Sequence, residues 1–284
     1  MPRKVLEEKL LQLLAEDVGQ GDVTTSAIIA SGTEAMANVI SKEDGVAAGT
    51  EETIILAESL GLETEAYVAD GDVIKKGQAV ICISGDARTI LSAERTMLNL
   101  LSRMSGIATA TRKLTDQIKK ANLTTRIAAT RKTAPGLLYF DKKAVVVGGG
   151  DPHRLHLDDM ILIKDNHIAI VGSAEEAVKK ALENVSFTKK IEVEVTKPAE
   201  VVPAVAAGAD IIMLDNFTPK QIKQTVEQLK KTGLFGRVLL EASGGITSEN
   251  LLEYAKTGVD VLSLGEITHS VKSLDISLEI TRAK

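Results

Sequence analysis

Aromatic side chains make up only 2% of the 284 residues, and tryptophan is absent. The core must therefore rest on Leu, Ile, Val and Ala, and a platform that stacks nucleic-acid bases on aromatic rings is argued against. There is one cysteine, Cys82, inside the apolar run Ala79-Val80-Ile81-Cys82-Ile83. A single cysteine forms no internal disulfide, and no neighbour there would activate its thiol, so it reads as a small buried hydrophobe. No apolar run approaches the ~18 residues that a membrane span requires. The N-terminal stretch 5–14 reads as an acidic amphipathic helix and does not resemble a signal peptide. The expected location is the cytoplasm. A general excess of positive charge is lacking too, since the formal net charge is −5 and the pI near 5.6. What remains is an ordinary globular composition, 44% hydrophobic and 26% charged, on a chain long enough for one large domain or two.

Two regimes follow one another along the chain. Up to about residue 86, short strand-like runs at 35–41, 46–49, 64–69 and 79–84 are punctuated by glycine. The segment Asp70-Gly71-Asp72-Val73-Ile74-Lys75-Lys76-Gly77-Gln78 reads as tight turns and is similar to the turn of lipoyl-type sandwich domains. No lysine sits at a hairpin tip between hydrophobic neighbours, which argues against a carrier function. A long helix is predicted over 87–121, with Leu91, Met97, Leu98, Leu101 and Ile107 at helical spacing and a break at Ser105-Gly106.

From Arg126 onward the pattern becomes strand, loop, helix, repeated. Strands are predicted at 127–130, 145–147, 160–164, 191–195, 209–214, 238–242 and 259–264, and helices at 173–184, 198–207, 219–232 and 248–257. Ser173 with Glu176 forms a capping-box pattern, and Pro198 and Pro219 suit first helical turns. Short apolar strands separated by helices imply a parallel sheet covered on both faces. About seven such units predict a closed or nearly closed α/β barrel.

The strand ends carry the chemistry. Arg131 and Lys132 follow the first predicted strand, Gly148–Gly150 with His153 and Arg154 the second, and Lys164 closes the third. Glu192 and Glu194 alternate on the fourth and so share a face; Asp215-Asn216, Ser243-Gly244-Gly245 and Gly265-Glu266 end the last three. Ligands of α/β barrels bind at this rim. Arg offers a planar fork and Lys a mobile point charge for carboxylate or phosphate oxygens. So many cations without matching acids call for a small, multiply anionic ligand. Ser243-Gly244-Gly245 with Leu264-Gly265-Glu266 suits a phosphate held by backbone N–H groups. Glu194 and Asp215 suit a sugar diol, directly or through Mg²⁺, or else pair with neighbouring cations. His167 and Asp165 are expected to tie down their loop, and His269 to act as a supporting donor; His156 is a weaker candidate.

These residues together resemble the quinolinate phosphoribosyltransferase family (nicotinate-nucleotide pyrophosphorylase, carboxylating). The resemblance starts at Glu16-Asp17-Val18-Gly19-Gln20-Gly21-Asp22-Val23-Thr24-Thr25 and continues through Glu94-Arg95-Thr96 and Ser105-Gly106-Ile107-Ala108-Thr109. It then runs through Thr130-Arg131-Lys132-Thr133, His153-Arg154, Leu162-Ile163-Lys164-Asp165-Asn166-His167, Glu192-Val193-Glu194-Val195, Leu214-Asp215-Asn216-Phe217, Ser243-Gly244-Gly245 and Thr268-His269-Ser270. It implies an N-terminal α/β sandwich over 1–105, with 270–284 packed back onto it. An open α/β barrel of the type II phosphoribosyltransferase kind would follow over 106–269. It further implies a homodimer, or a hexamer built from such dimers, in which Arg95 is supplied in trans. Thr130, Arg131, Lys132, His153, Arg154 and Lys164 would grip quinolinate and the pyrophosphate of phosphoribosyl pyrophosphate. Glu194 and Asp215 would address the ribose hydroxyls and Mg²⁺, and Ser243, Gly244, Gly245, Leu264, Gly265 and Glu266 the 5′-phosphate. Lys132, Lys164, Glu194 and Asp215 are the expected catalytic set.

The chain departs from the family pattern at three places beside this grip. Ala129 stands where Asp is frequent, Pro152 where Asn is usual, and His156 where Gly is common. Two relatives of the same fold stay open as alternatives: a paralogue associated with molybdenum transport and a nicotinate-specific phosphoribosyltransferase. Retention of Lys164-Asp165-Asn166-His167 and of Glu194 with Asp215 argues against the first.

Overall fold

The computed structural model describes residues 1–283. In chain order the first elements are α1 (Arg3–Val18), α2 (Val23–Ile28), β1 (Glu34–Ser41), β2 (Gly45–Val46), α3 (Thr50–Ser59), β3 (Glu63–Ala66), β4 (Val73–Ile74), β5 (Ala79–Asp86) and α4 (Ala87–Lys120). Then come β6 (Arg126–Ala128), α5 (Leu138–Val147), β7 (Ile161–Ile163), α6 (Asp165–Val171), α7 (Ala174–Asn184), β8 (Ile191–Val195), α8 (Pro198–Ala207), β9 (Ile211–Asp215) and α9 (Pro219–Lys231). The last are β10 (Leu239–Ser243), α10 (Leu251–Ala255), β11 (Val261–Ser263), α11 (Glu266–His269) and β12 (Ile276–Ala283). The chain divides into two compact units. The first comprises Met1–Arg112, Tyr139–Gly149 and the segment from Val271, and the second Lys113–Leu138 and Gly150–Ser270.

The first unit is built on an antiparallel sheet of order β12-β1-β5-β3. Alternating burial on β1 places Ala35, Ala37 and Val39 on the covered face, whereas Val80, Ile81, Cys82 and Ile83 of β5 are all buried. β1 follows the period of two of a strand with one covered face, and β5 carries the unbroken apolar run Ala79–Ile83. Cys82 is a packed hydrophobe in the middle of this sheet. The predicted strand at 46–49 shrinks to β2, a two-residue pair with β4, because Gly49 adopts φ +95° and opens α3. Thr50 N–H donates to Asp70 Oδ1 at 2.9 Å at the start of that helix.

Two expectations fail within this unit, each for a packing reason. Helix α4 continues without a break through Ser105-Gly106. Gly106 is there for clearance, since a Cβ on it would sit 2.3 Å from the Lys272 carbonyl oxygen. The run Val145-Val146-Val147 is the last turn of α5, not a strand. Phe140, Asp141, Ala144 and Val145 are buried at helical spacing, while Val146 is 52% exposed. Arg103 grips Asp141 with two bonds, from Nε to Oδ1 at 2.7 Å and from Nη2 to Oδ2 at 2.8 Å. Gly148 follows this helix and is pressed against α4, where a Cβ would lie 2.6 Å from Thr111 Cβ. The glycine triplet thus begins as a packing requirement rather than as an anion cradle.

The second unit is a six-stranded parallel sheet of order β6-β11-β10-β9-β8-β7. Its interior strands are short and apolar, with Val193, Ile212, Leu214, Leu240 and Leu262 fully or almost fully buried. β6 and β7 do not pair with each other, so the barrel is open between them. A lone parallel bridge, Ala128 with Asp151, takes the place of the predicted second strand. Helices follow the strands with the caps that their sequences prescribe. Ser173 Oγ accepts the Glu176 N–H, and Thr218 and Gln221 form a reciprocal capping box ahead of Pro219. No helix among the described residues is long and apolar enough to cross a membrane.

Candidate active site

A cavity of about 810 Å³ opens in the second unit at the C-terminal ends of its parallel strands. The segment after β6 contributes Thr130, Arg131 and Lys132; the loop before β7 contributes His153 and Arg154. Lys164 follows β7, Glu194 lies on β8, and Asp215 ends β9 with Asn216 beside it. Ser243, Gly244 and Gly245 close β10, and Gly265 and Glu266 follow β11. All the site residues named from sequence line this one space except two. Arg95 is an exposed residue of α4 in the first unit. Leu264 has its side chain in the core and its N–H donating to the Ala128 carbonyl at 2.9 Å. A donor engaged that way has nothing to offer a phosphate, which corrects the expectation for Leu264.

Local backbone geometry explains the placements. The Lys132 N–H donates to Thr130 Oγ1 at 3.2 Å, and the buried Thr268 hydroxyl donates to the Lys132 carbonyl at 2.8 Å. Gly265 leaves room for this lysine, because a Cβ there would lie 3.0 Å from Lys132 Cδ and 2.9 Å from His269. Gly244 and Gly245 adopt φ +88° and +64°, and a Cβ on Gly244 would fall 2.2 Å from Asn216 Oδ1. Only glycine meets both demands at that turn. The Lys164 N–H donates to His167 Nδ1 at 2.9 Å, so His167 ties the start of α6.

Charge is unevenly met. Lys164 Nζ pairs with Glu194 Oε2 at 2.8 Å. Among the described residues, Arg131 and Lys132 have no ion-pair partner. Burial and the neighbouring Arg131 charge together hold the Arg154 guanidinium below its usual range. Burial, and then the Glu194 charge, push the Asp215 carboxyl up, so these two carboxylates sense each other across adjacent strands. The cavity wall therefore carries Arg131, Lys132, Arg154 and Lys164 together with the carboxylates of Glu194, Asp215, Glu241 and Glu266, and Lys164 is paired with Glu194.

A second acidic group lies deeper and was missed in part. Glu241 lines the cavity floor, and its strand text Leu239-Leu240-Glu241-Ala242-Ser243 places it on the same face as Ser243 by simple alternation. That period-two signal was available. His153 Nε2 lies 3.1 Å from Glu241 Oε2 and 3.4 Å from Glu192 Oε2. Neither oxygen of Glu192 has a hydrogen-bond partner, and the residue is fully buried. Burial, with Glu241 beside it, pushes the Glu192 carboxyl up to about 8.

His153 itself is turned inward. Its φ is +54°, its N–H donates to Asp151 Oδ1 at 2.7 Å, and its Nδ1 accepts the Arg154 N–H at 2.8 Å. With Nε2 directed at the carboxyls, this ring grips its own turn rather than standing clear to meet an incoming anion. Pro152, one of the departures, sits within this Asp151–His153 turn, and Ala129 donates its N–H to the Asp151 carbonyl at 2.9 Å. His156 lies outside the cavity lining, with its N–H bound to Asp159 Oδ2.

Comparison with known proteins identifies the family. Residues 22–105 match the family model described as quinolinate phosphoribosyl transferase, N-terminal domain, and 107–279 match its C-terminal domain. The chain is 50% identical to the probable nicotinate-nucleotide pyrophosphorylase [carboxylating] of Methanothermobacter thermautotrophicus, over 96% of this chain and 98% of that one. It is 39% identical to the nicotinate-nucleotide pyrophosphorylase [carboxylating] of Mycobacterium leprae, over 96% of each. The solved nicotinate-nucleotide pyrophosphorylase of Francisella tularensis superposes with a TM-score of 0.90 at 36% identity, covering 99% of this chain and 98% of that one. The chain belongs to the quinolinate phosphoribosyl transferase family.

Proposed function

We propose that this protein converts quinolinate and phosphoribosyl pyrophosphate to nicotinate mononucleotide, CO₂ and pyrophosphate, as a decarboxylating pentosyltransferase of NAD biosynthesis. The observation that carries the reading is the convergence of Arg131, Lys132, Arg154 and Lys164 on a cavity that also holds Glu194 and Asp215. The pyridine nitrogen attacks the anomeric carbon as pyrophosphate leaves, through an oxocarbenium-like transition state. Lys132 and the arginines neutralise the anionic partners, and the carboxylates stabilise developing positive charge on the sugar. N-ribosylation turns the ring into an electron sink; the carboxyl next to the nitrogen departs as CO₂, leaving its bonding pair on the ring carbon, which then takes up a proton. No covalent nucleophile is needed; positioning and electrostatics supply the rate.

The Ser243-Gly244-Gly245 turn and Gly265 are the proposed seat of the 5′-phosphate: the left-handed Gly244 and Gly245 let backbone approach an anion, and Gly265 lines the same space without a side chain. Glu194 and Asp215 fit Mg²⁺: both are oxygen donors on neighbouring strands of one cavity, and the raised Asp215 carboxyl gains from a nearby cation. Bound there, Mg²⁺ would offset charge on the pyrophosphate. The same reading makes the protein a cytoplasmic homodimer to which exposed Arg95 is contributed in trans, with hexamers as a further assembly. Purified protein with Mg²⁺ and phosphoribosyl pyrophosphate should release CO₂ from carboxyl-labelled quinolinate. Turnover of nicotinate with none of quinolinate would defeat the substrate assignment.

A further inference from the structure

The floor of the cavity holds a contact that the reaction as written does not use. Glu241 Oε2 and His153 Nε2 meet at 3.1 Å, joining β10 to the loop that carries Arg154. We propose that Glu241 is a positioning residue: through His153 it fixes the turn that sets the Arg154 guanidinium beside Arg131, and so determines affinity for the dicarboxylate substrate. The inference rests on the proposed reading of the cavity and deepens it.

Three observations support it. A histidine at φ +54° is in a region that L-residues seldom adopt, so something must hold it there. The holding points are visible on both sides of the residue: Asp151 Oδ1 takes its backbone N–H at 2.7 Å, and Glu241 meets its ring. Next, Arg154 is held in a mixed field, with burial and Arg131 opposing its charge while Glu192 and Asp159 favour it. Arg154 sits near enough to Arg131 for the like charge to disfavour its own, and it is partly withdrawn from water. Arg131 and Arg154 line the same cavity, and two planar forks kept side by side there match two carboxylates. Last, the tautomer is decided by geometry. Nδ1 accepts the Arg154 N–H at 2.8 Å, so the ring proton is on Nε2 and points at Glu241. The same bond thus locks Arg154 to the ring that Glu241 holds.

His153, Glu192 and Glu241 also lie within 4.8 Å of one another, a spacing that could hold a metal ion. Ligation through Nε2 would require a lone pair there and a proton on Nδ1, where histidine ligands usually donate to a second partner. Here Nδ1 is the acceptor, so the hydrogen-bonded turn is favoured over a metal.

The test is steady-state kinetics with both substrates, on wild type, Glu241→Ala, Glu241→Gln and His153→Asn. CO₂ release by wild type first tests the substrate reading by itself. Given that turnover, Glu241→Ala should raise KM for quinolinate by about tenfold or more while KM for phosphoribosyl pyrophosphate moves by less than about threefold. Glu241→Gln keeps a carbonyl acceptor for Nε2–H and should recover most of the loss. His153→Asn, a side chain tolerant of left-handed backbone, should reproduce the quinolinate effect, and the double variant with Glu241→Ala should add little to it. Equal rises in both KM values, no rescue by Gln, or fully additive losses would overturn the assignment. So would a stoichiometric metal on the wild type that Glu241→Gln abolishes. If Glu241→Ala does not fold, the Gln and Asn variants carry the test.

Discussion

Arg131 and Lys132 show how much one side chain can decide. Among the described residues neither has an ion-pair partner, although both line a cavity in an acidic protein. Arg131→Ala should lower kcat/KM for quinolinate by about 10²-fold or more, with unfolding midpoints close to wild type; near-normal turnover would remove it from the site. Glu192 makes a different prediction. Its folded-state carboxyl titrates near 8, far above the ordinary carboxylate range, so between those values the native state holds a proton that the unfolded chain has released. Stability therefore falls as pH rises from about 4.5 towards 8. Glu192→Gln should abolish that slope and be more stable than wild type at pH 8 by on the order of 2–4 kcal/mol. Metal-free urea melts at pH 5 and pH 8 read this directly, and parallel behaviour of the two proteins would contradict it. At this scale the sequence was informative wherever a charged residue ended an apolar strand. It named His153 but not the ring's orientation, which depends on a partner 88 residues away, and it gave no warning that the Leu264 N–H was already engaged.

Elements were legible where side-chain period and caps agreed. Pro198 and Pro219 open their helices as their residue type demands, and β8 to β11 fall within two residues of the apolar runs that predicted them. The failures came where a β-branched run or a glycine has a second reading. Three consecutive valines suggest a strand, yet burial of Phe140, Asp141, Ala144 and Val145 commits them to α5. Gly106 resembles a helix break only until the Lys272 carbonyl is seen against it. Gly106→Ala must displace backbone and should destabilise the protein by roughly 1–3 kcal/mol in denaturant melts, despite alanine's better helix propensity. A stabilised variant would show that the clearance is not required. Gly244→Ala faces both a positive φ and the Asn216 side chain, so KM for phosphoribosyl pyrophosphate should rise more than KM for quinolinate. The reverse order would move the phosphate seat elsewhere.

Over the whole molecule, the order of strands and helices was enough to expect a parallel sheet with ligands at its C-terminal rim, because short apolar strands between helices have few other solutions. Closure was not readable. Whether six strands or seven form the barrel turns on a single bridge between Ala128 and Asp151. Function became readable because charged strand ends from separate stretches of the chain gather in one cavity, where Arg131 and Lys132 have no ion-pair partner among the described residues. The measurement that meets this claim most directly is calorimetric binding of quinolinate and of nicotinate, at low and moderate salt. A cavity built for two carboxylates should hold quinolinate at least about tenfold more tightly than nicotinate, with affinity falling as salt rises and lost in Arg131→Ala. Equal affinity for the two acids, indifferent to salt and to Arg131, would contradict the account.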